Sequence, residues 1–421
     1  MKTRIISLFF IGTLLSCSAS ENDALVTELV SNSDSVIVKN ETPPLFCNES
    51  IKVGAENTIN YFPQIKGKKI GVVANQSSMI NDTHLVDSLK NTGFDLVRVF
   101  SPEHGFRGKA DAGEKVKDEI DDKTGLQIVS LYGSNKKPNK DQLTGIEVLL
   151  FDLQDVGVRF YTYISTLHYV MEACAENGIE LIVLDRPNPN GHYIDGPILD
   201  PAYKSFVGMH KVPVIHGMTI GEYGQMVNEE GWLSNNVRCK MSVVKCTGYD
   251  HTKHYKLPKS PSPNLPNMTS IYLYPSLCFF EGTIVSIGRG TESPFQIIGH
   301  PDYASDSTDY SFVPQPNIGA KNPKLNGREC HGLSFVDLAL SDLQKNDQLD
   351  LSYLYAFYDN LNAGESFFLK NNFIDLLYGS NHLRKSMLQG ESFEELRQTW
   401  STGLQEFKIL RKKYLLYQDF E

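Results

Sequence analysis

Residues 146–186 read IEVLLFDLQDVGVRFYTYISTLHYVMEACAENGIELIVLDR, and their pattern decides the fold. VLLF (148–151) and LIVL (181–184) are unbroken apolar runs, as expected of parallel strands covered on both faces. Between them Ile164, Leu167, Met171, Cys174 and Ala175 recur at helical spacing along one face. Strand, helix and strand in succession indicate an open α/β sheet.

The alternation continues in both directions. KIGVVAN (69–75), FDLVRVF (94–100) and LQIVSLYG (126–133) read as further strands, and THLVDSLKNTG (83–93) as a helix between the first two. Another helix starts at Thr219, which forms a capping box with Glu222. The proline-dense KLPKSPSPNLPNM (256–268) fits an interdomain passage or a rigid loop. Beyond it, residues 333–345, 351–362, 371–388 and 392–417 read as largely helical. The last of these opens with Ser392 and Glu395 and carries Leu396, Trp400, Leu404 and Phe407 as one stripe. The expected organisation is an open-sheet domain over residues 48–258 and a smaller α+β domain over residues 259–421.

The first residues have a different character. Lys2 and Arg4 precede an apolar stretch from Ile5 to Leu15 and small residues around Cys17. That is the layout of a secretory signal peptide, too short for a spanning helix. LLSC resembles a bacterial lipobox, so residues 1–17 are expected to be a lipoprotein signal and Cys17 the lipidated residue. Residues 18–47 read as a flexible tether. The expected location is the periplasm or cell envelope, with membrane contact only through the anchor. Later segments fall short of the ~18 apolar residues that a span requires.

A formal charge of −10 without a basic stretch argues against a nucleic-acid partner. The cysteines after Cys17 lack the close paired spacing of a zinc site and read mostly as buried free thiols. NQSS after the first strand is not the glycine fingerprint of a dinucleotide site. The chain also has no Walker loop, no G-x-S-x-G elbow and no H-E-x-x-H. GRGTES (288–293) suits an anion-binding turn.

In open α/β sheets ligands bind beyond the carboxyl ends of the strands. That rule collects Asn75, Gln76 and Ser77; Glu103, His104 and Arg107; Asp152, Gln154, Asp155, Arg159, Tyr161 and Tyr163; and Asp185, Arg186, Asn188 and Asn190. Such a mixture of carboxylates, amides, guanidinium groups and aromatic rings suits a sugar. Structural duties compete with this reading. Asp152 and Asp155 could cap a helix, Arg159 and Arg186 could pair with them, and Asn188 and Asn190 are good turn formers. Glu103, which follows a proline in a glycine-bracketed loop, has no such ready alternative. His104 could orient Glu103, bind substrate or bind a metal.

SPEHGFRG (101–108), FDLQDVGVRFYTYISTL (151–167), LDRPNPNG (184–191), DGPILD (195–200), HGMTIGE (216–222), PSPNLP (261–266) and FFEGTIVSIGRGTESPFQIIG (279–299) resemble the NamZ-type exo-β-N-acetylmuramidases. The resemblance covers about residues 50–417. One mild departure is ANQSS after the first strand, which lacks a glycine expected there. These bacterial glycoside hydrolases remove terminal N-acetylmuramic acid from the non-reducing ends of peptidoglycan fragments. The resemblance implies a Rossmann-like N-terminal domain, a smaller C-terminal domain and an active-site cleft between them; separately, no cofactor and no metal are expected.

It also makes Glu103, in the PEHG motif, the catalytic acid/base. Phe106 and nearby aspartates are expected to help it keep its proton. A second carboxylate, roughly 5–5.5 Å away in a retaining enzyme, would come from Asp152, Asp155, Glu281 or Glu292, with Asp152 or Asp155 favoured. The substrate's own acetamido group could attack instead. The lactyl carboxylate of muramic acid calls for an arginine. Arg107, Arg159, Arg186 and Arg289 lie in matching motifs, and Arg159 and Arg289 are favoured. His104, Tyr161, Asn188, Glu281 and Glu292 complete the expected binding set. Two rival readings are a metal-dependent hydrolase using His104, Glu103 and Asp152 or Asp155, and a non-catalytic lipoprotein that binds cell-wall sugars.

Overall fold

The apolar runs form the strands of one sheet, as their sequence requires. The structure, a computed structural model, describes residues 45–103, 105–107, 119–304 and 310–421. In chain order its first strands are β1 (Lys69–Ala74), the short pair β2 (Met79–Ile80) and β3 (Thr83–His84), β4 (Asp95–Ser101), β5 (Glu119–Ile120), β6 (Gln127–Ser130), β7 (Val148–Asp152), β8 (Glu180–Leu184) and β9 (Met241–Val244). The main sheet runs β5-β6-β4-β1-β7-β8-β9. All neighbours are parallel except β5, which pairs antiparallel with β6.

Taken in chain order, the parallel strands lie 3-2-1-4-5-6, the Rossmann arrangement. The order reverses between β1 and β7, which end level, Ala74 opposite Asp152. Burial follows the sequence pattern: β7 is buried throughout, whereas β4 is fully buried only over Val99, Phe100 and Ser101. Each fully buried Val, Leu, Ile or Phe contributes about 1.5–3 kcal/mol, so the central strands anchor the sheet.

The helix between β7 and β8 spans Tyr163–Asn177, with Ile164, Leu167, Met171 and Cys174 in the core. Thr219 and Glu222 cap helix Ile220–Glu229 as expected, and Glu222 also meets buried His251 at 3.0 Å. The cysteines among the described residues are unpaired, and all but Cys47 are buried.

The C-terminal half differs in detail from the expectation. It contains a three-stranded antiparallel sheet, order β10-β12-β11, built from β10 (Ile297–His300), β11 (Tyr310–Phe312) and β12 (Cys330–Ser334). The expected helix over 333–345 is reduced to Leu340–Leu343. The stretch 371–388 is two helices, Phe373–Tyr378 and His382–Gln389, and 392–417 divides into Phe393–Gln398 and Ser401–Arg411. Ser392 and Glu395 form their capping box. One hydrophobic core runs from the sheet through Phe279, Phe280, Ile298 and Phe357 to Trp400 and Phe407.

Candidate active site

The strand reversal between β1 and β7 is where an open α/β sheet ordinarily opens a ligand crevice. Here the chain fills it. The Asn75 carboxamide oxygen accepts from the Ser77 backbone at 2.9 Å and its hydroxyl at 2.6 Å. The Asn75 N–H donates to Ser78 Oγ at 3.0 Å, and Gln154 N–H donates to Ser77 Oγ at 3.2 Å. Asp152 accepts two bonds from Arg186, from Nε at 2.6 Å and from Nη2 at 2.9 Å. Arg186 Nη2 also donates to the Met79 carbonyl at 3.1 Å. Both partners of this ion pair are buried.

Asp155 is buried as well. Its Oδ2 accepts from Gly157 N–H at 2.7 Å, while Oδ1 has no hydrogen-bond partner among the described residues. Burial pushes this carboxyl up to about 7. Asn188 donates to the Met218 carbonyl and accepts from Asn190 N–H, the turn duty its sequence context allows.

The open space lies one strand over, where β4 delivers Glu103. A cavity of about 490 Å³ is lined by Glu103, Tyr132, Phe160, Thr162, Phe206, Tyr274, Glu281, Arg289 and Lys324 among others. A recess of about 70 Å³ continues from Glu103, Thr162 and Arg289 past Tyr161, Tyr163, Ser262 and Asn264. Neither Asp152 nor Asp155 lines either space.

Thr162 and Tyr132 are among the residues that hold Glu103. Thr162 Oγ1 donates to its Oε2 at 3.1 Å. Thr162 is the residue before helix Tyr163–Asn177, where a threonine hydroxyl usually caps the helix; here it makes no cap bond. Tyr132, just past β6, hydrogen-bonds to Glu103. Burial, and then the charge of Glu103, raise the phenol's pKa. Phe106, expected to help Glu103 keep its proton, is buried in the core with the Arg107 guanidinium 4.4 Å from its ring.

The opposite wall comes from the C-terminal half. Glu281 sits in the 3-10 turn Cys278–Gly282, and Arg289 between Gly288 (φ +77°) and Gly290 (φ +81°). A Cβ on Gly290 would lie 2.5 Å from the Gln315 carbonyl, so this tight turn admits only glycine. Arg289 donates to both oxygens of Glu281, at 2.9 and 3.2 Å, and lies 5.1 Å from the Phe295 ring centre. Its Nη1 is buried without a hydrogen-bond partner among the described residues.

Burial alone would raise the Glu281 pKa, but the charges of Arg289 and Lys324 outweigh it and hold the carboxyl below its ordinary range. Lys324 donates to the carbonyls of Phe280, Thr283 and Val285, fastening the turn that presents Glu281. Burial lowers this ammonium to about 8.

The remaining expected residues scatter. Arg159, favoured as the reader of a lactyl acid, is buried and donates to the carbonyls of Pro197, Val212, Leu377 and Tyr378 at 2.6–3.0 Å. It fastens helix Phe373–Tyr378 to the loop before Thr219, and its Nη groups are spent. Arg107 is spent on Asp121 at 2.8 Å and Asp87 at 3.3 Å, and Arg186 on Asp152. Tyr161 stands on the recess wall, its hydroxyl donating to the Pro261 carbonyl at 3.0 Å. Glu292 lines a separate groove. His104 and Cys17 lie outside the described residues. Asp152 and Asp155, favoured as the second carboxylate, line neither space, whereas Glu281, another of the candidates, lines the cavity with Glu103. Tyr132, Thr162 and Lys324 were missed. Only Thr162, a helix-start hydroxyl beside two tyrosines, carried a usable signal.

Fold and cavity together define a Rossmann-type α/β protein with two carboxylates and an arginine around an open, aromatic-lined pocket. The families described as "Exo-beta-N-acetylmuramidase NamZ, N-terminal" and "Exo-beta-N-acetylmuramidase NamZ, C-terminal" match residues 70–269 and 272–417. The chain belongs to the NamZ family. It is 37% identical to the peptidoglycan beta-N-acetylmuramidase NamZ of Bacillus subtilis (strain 168), over 97% of each chain. Two crystal structures of DUF1343 family proteins from Bacteroides fragilis NCTC 9343 are also similar. One has a TM-score of 0.81 at 46% identity and the other 0.76 at 30%; each match covers 88% of this chain and 99% of the other.

Proposed function

We propose that this chain is an exo-acting glycosidase that releases N-acetylmuramic acid from the non-reducing ends of peptidoglycan fragments. One observation carries the reading: Glu103 shares a cavity with Glu281, whose carboxyl is held below its ordinary range, and with the cation Arg289. Glu103 gives its proton to the glycosidic oxygen as the bond breaks, then takes one from the incoming water. Thr162 and Tyr132 fix the direction of that carboxyl. Glu281, held ionised, stabilises positive charge growing at the anomeric carbon or polarises the acetamido group that attacks it. The Arg289 guanidinium reads the lactyl carboxylate, which N-acetylglucosamine lacks.

The reaction on this account needs the sheet domain of residues 48–258 for Glu103 and the C-terminal domain of residues 259–421 for Glu281 and Arg289. Residues 1–17 direct export, and Cys17 carries the lipid that anchors the enzyme in the envelope; loss of labelled-fatty-acid incorporation in Cys17→Ala tests this. For the chemistry, Glu103→Gln should lower turnover of a muramyl glycan by about 10²–10⁴-fold while the variant still binds its substrate. Undiminished turnover would overturn the assignment.

A further inference from the structure

We propose that the groove formed by Pro263–Pro266, Thr291–Pro294 and Asn317–Ile318 holds the sugar that leaves, and that it selects a neutral hexosamine over a second muramyl residue. The proposal rests on the glycosidase reading above and extends it to the other side of the scissile bond. At about 490 Å³ the groove matches the main cavity in size.

Three stretches of chain form a wall common to the two spaces. Asn264 lines both the recess beside Glu103 and the groove. Arg289 faces the cavity, while Thr291 and Glu292 on the same turn face the groove. Gly319 and Ala320 line the cavity, and the adjoining Asn317 and Ile318 line the groove. On the proposal, a glycan with its terminal sugar in the cavity passes over this shared wall and lays its next sugar in the groove.

The chemistry fits a pyranose ring. Pro263, Pro266, Pro294 and Ile318 offer stiff apolar surface for the C–H face of a sugar, and ordering it costs little side-chain entropy. Ile318 is 82% exposed, yet it is held in place. Asn317 and Ala320 exchange backbone hydrogen bonds around it, at 3.1 and 3.2 Å. The Asn317 carboxamide also donates to the Thr291 carbonyl at 3.1 Å. An exposed isoleucine fixed beside a polar pocket is suited to receive a ligand face.

Charge sets the order of the sugars. Arg289 brings a cation to the cavity wall, and three residues later Glu292 brings an acidic residue to the groove wall. A sugar bearing a lactyl acid is drawn to the first position and repelled from the second. Peptidoglycan alternates acid-bearing and neutral hexosamines, so this polarity determines which bond lies over Glu103.

The test compares two substrates that share a terminal N-acetylmuramic acid, one with N-acetylglucosamine and one with 4-nitrophenol as leaving group. Ile318→Asp should lower kcat/KM on the disaccharide by roughly tenfold and change the aryl substrate less than twofold, with an unaltered melting temperature. Glu292→Lys should raise the relative rate on a synthetic muramyl–muramyl disaccharide. Equal effects on both substrates, or none on the disaccharide, overturn the subsite. A wild-type enzyme that cleaves neither substrate overturns the reaction itself, and the subsite with it.

Discussion

The carboxyl edge of this sheet presents two polar regions only a strand apart, and they have opposite uses. At the β1/β7 reversal, Asn75, Ser77, Ser78, Asp152 and Arg186 satisfy one another. Beyond β4, Glu103 faces a cavity across from Arg289, which retains a donor without a partner. Both regions are rich in carboxylate, amide and guanidinium. What separates them is the space they border: Gln154 Oε1 and Asp155 Oδ1 also lack partners among the described residues but line neither cavity nor recess, whereas Glu103 and Arg289 line both. A polar cluster closed off inside the chain stabilises a fold, while one that borders an open space can receive a ligand.

The sharpest test exchanges damage between the two regions. Glu103→Gln should remove about 10²–10⁴-fold of turnover and leave unfolding by denaturant nearly unchanged. Asp152→Asn should do the reverse. It strips the buried Arg186 of its counter-ion, a change that costs about 3–5 kcal/mol, while kcat/KM per folded molecule is kept. A stable but inactive Asp152→Asn protein would break the comparison.

Asp155 sharpens it through pH. An aspartyl group is released near 3.8 when unfolded, and burial raises it to about 7 in the folded chain. Between these values the folded state holds a proton that the unfolded state has lost, so this group's contribution to stability falls as pH rises from about 4 to 7. The full swing is on the order of 4 kcal/mol. Asp155→Asn should remove this dependence, and urea midpoints of wild type and variant should diverge with rising pH across that window. Parallel curves would show that Asp155 is not held neutral.

Some of this was readable in advance, for physical reasons. Runs such as VLLF and LIVL could only be doubly covered strands, and capping pairs such as Thr219–Glu222 and Ser392–Glu395 declare helix starts without help from the rest of the fold. The small sheet was not readable. IIGH, YSF and CHGLS are three to five residues long and show no clean alternation. Glu103 stood out because no local structural duty suited it. The arginines could not be ranked from sequence, since whether a guanidinium is spent depends on carbonyls far along the chain. For Arg159 these lie up to 219 residues away. Tyr132 was absorbed into an apparent strand, LQIVSLYG, and the carbonyl partners of Lys324 lie about 40 residues earlier.

Arg289 allows a smaller, selective effect. Losing one charge-assisted bond to a carboxylate costs about 1.5–3 kcal/mol, or about 10–100-fold. Arg289→Ala should lose that much kcat/KM on a muramyl substrate relative to its lactyl-free analogue. Equal loss on both would mean that Arg289 serves only to hold Glu281.

The smallest predicted effect concerns Thr162, and it separates positioning from folding. At a helix start, replacing threonine by a residue without a hydroxyl normally costs about 1 kcal/mol, because the cap bond is lost. This hydroxyl makes no cap bond and is spent on Glu103. Thr162→Val should therefore leave the melting temperature almost unchanged and lower kcat roughly three- to tenfold, at constant KM, as Glu103 loses one fixed hydrogen bond. Thr162→Ser, which keeps the oxygen, should restore most of the rate. Were Thr162→Val to melt early and turn over normally, the hydroxyl would belong to the helix, and the boundary between the stabilising region and the reactive one would have to be redrawn around Glu103.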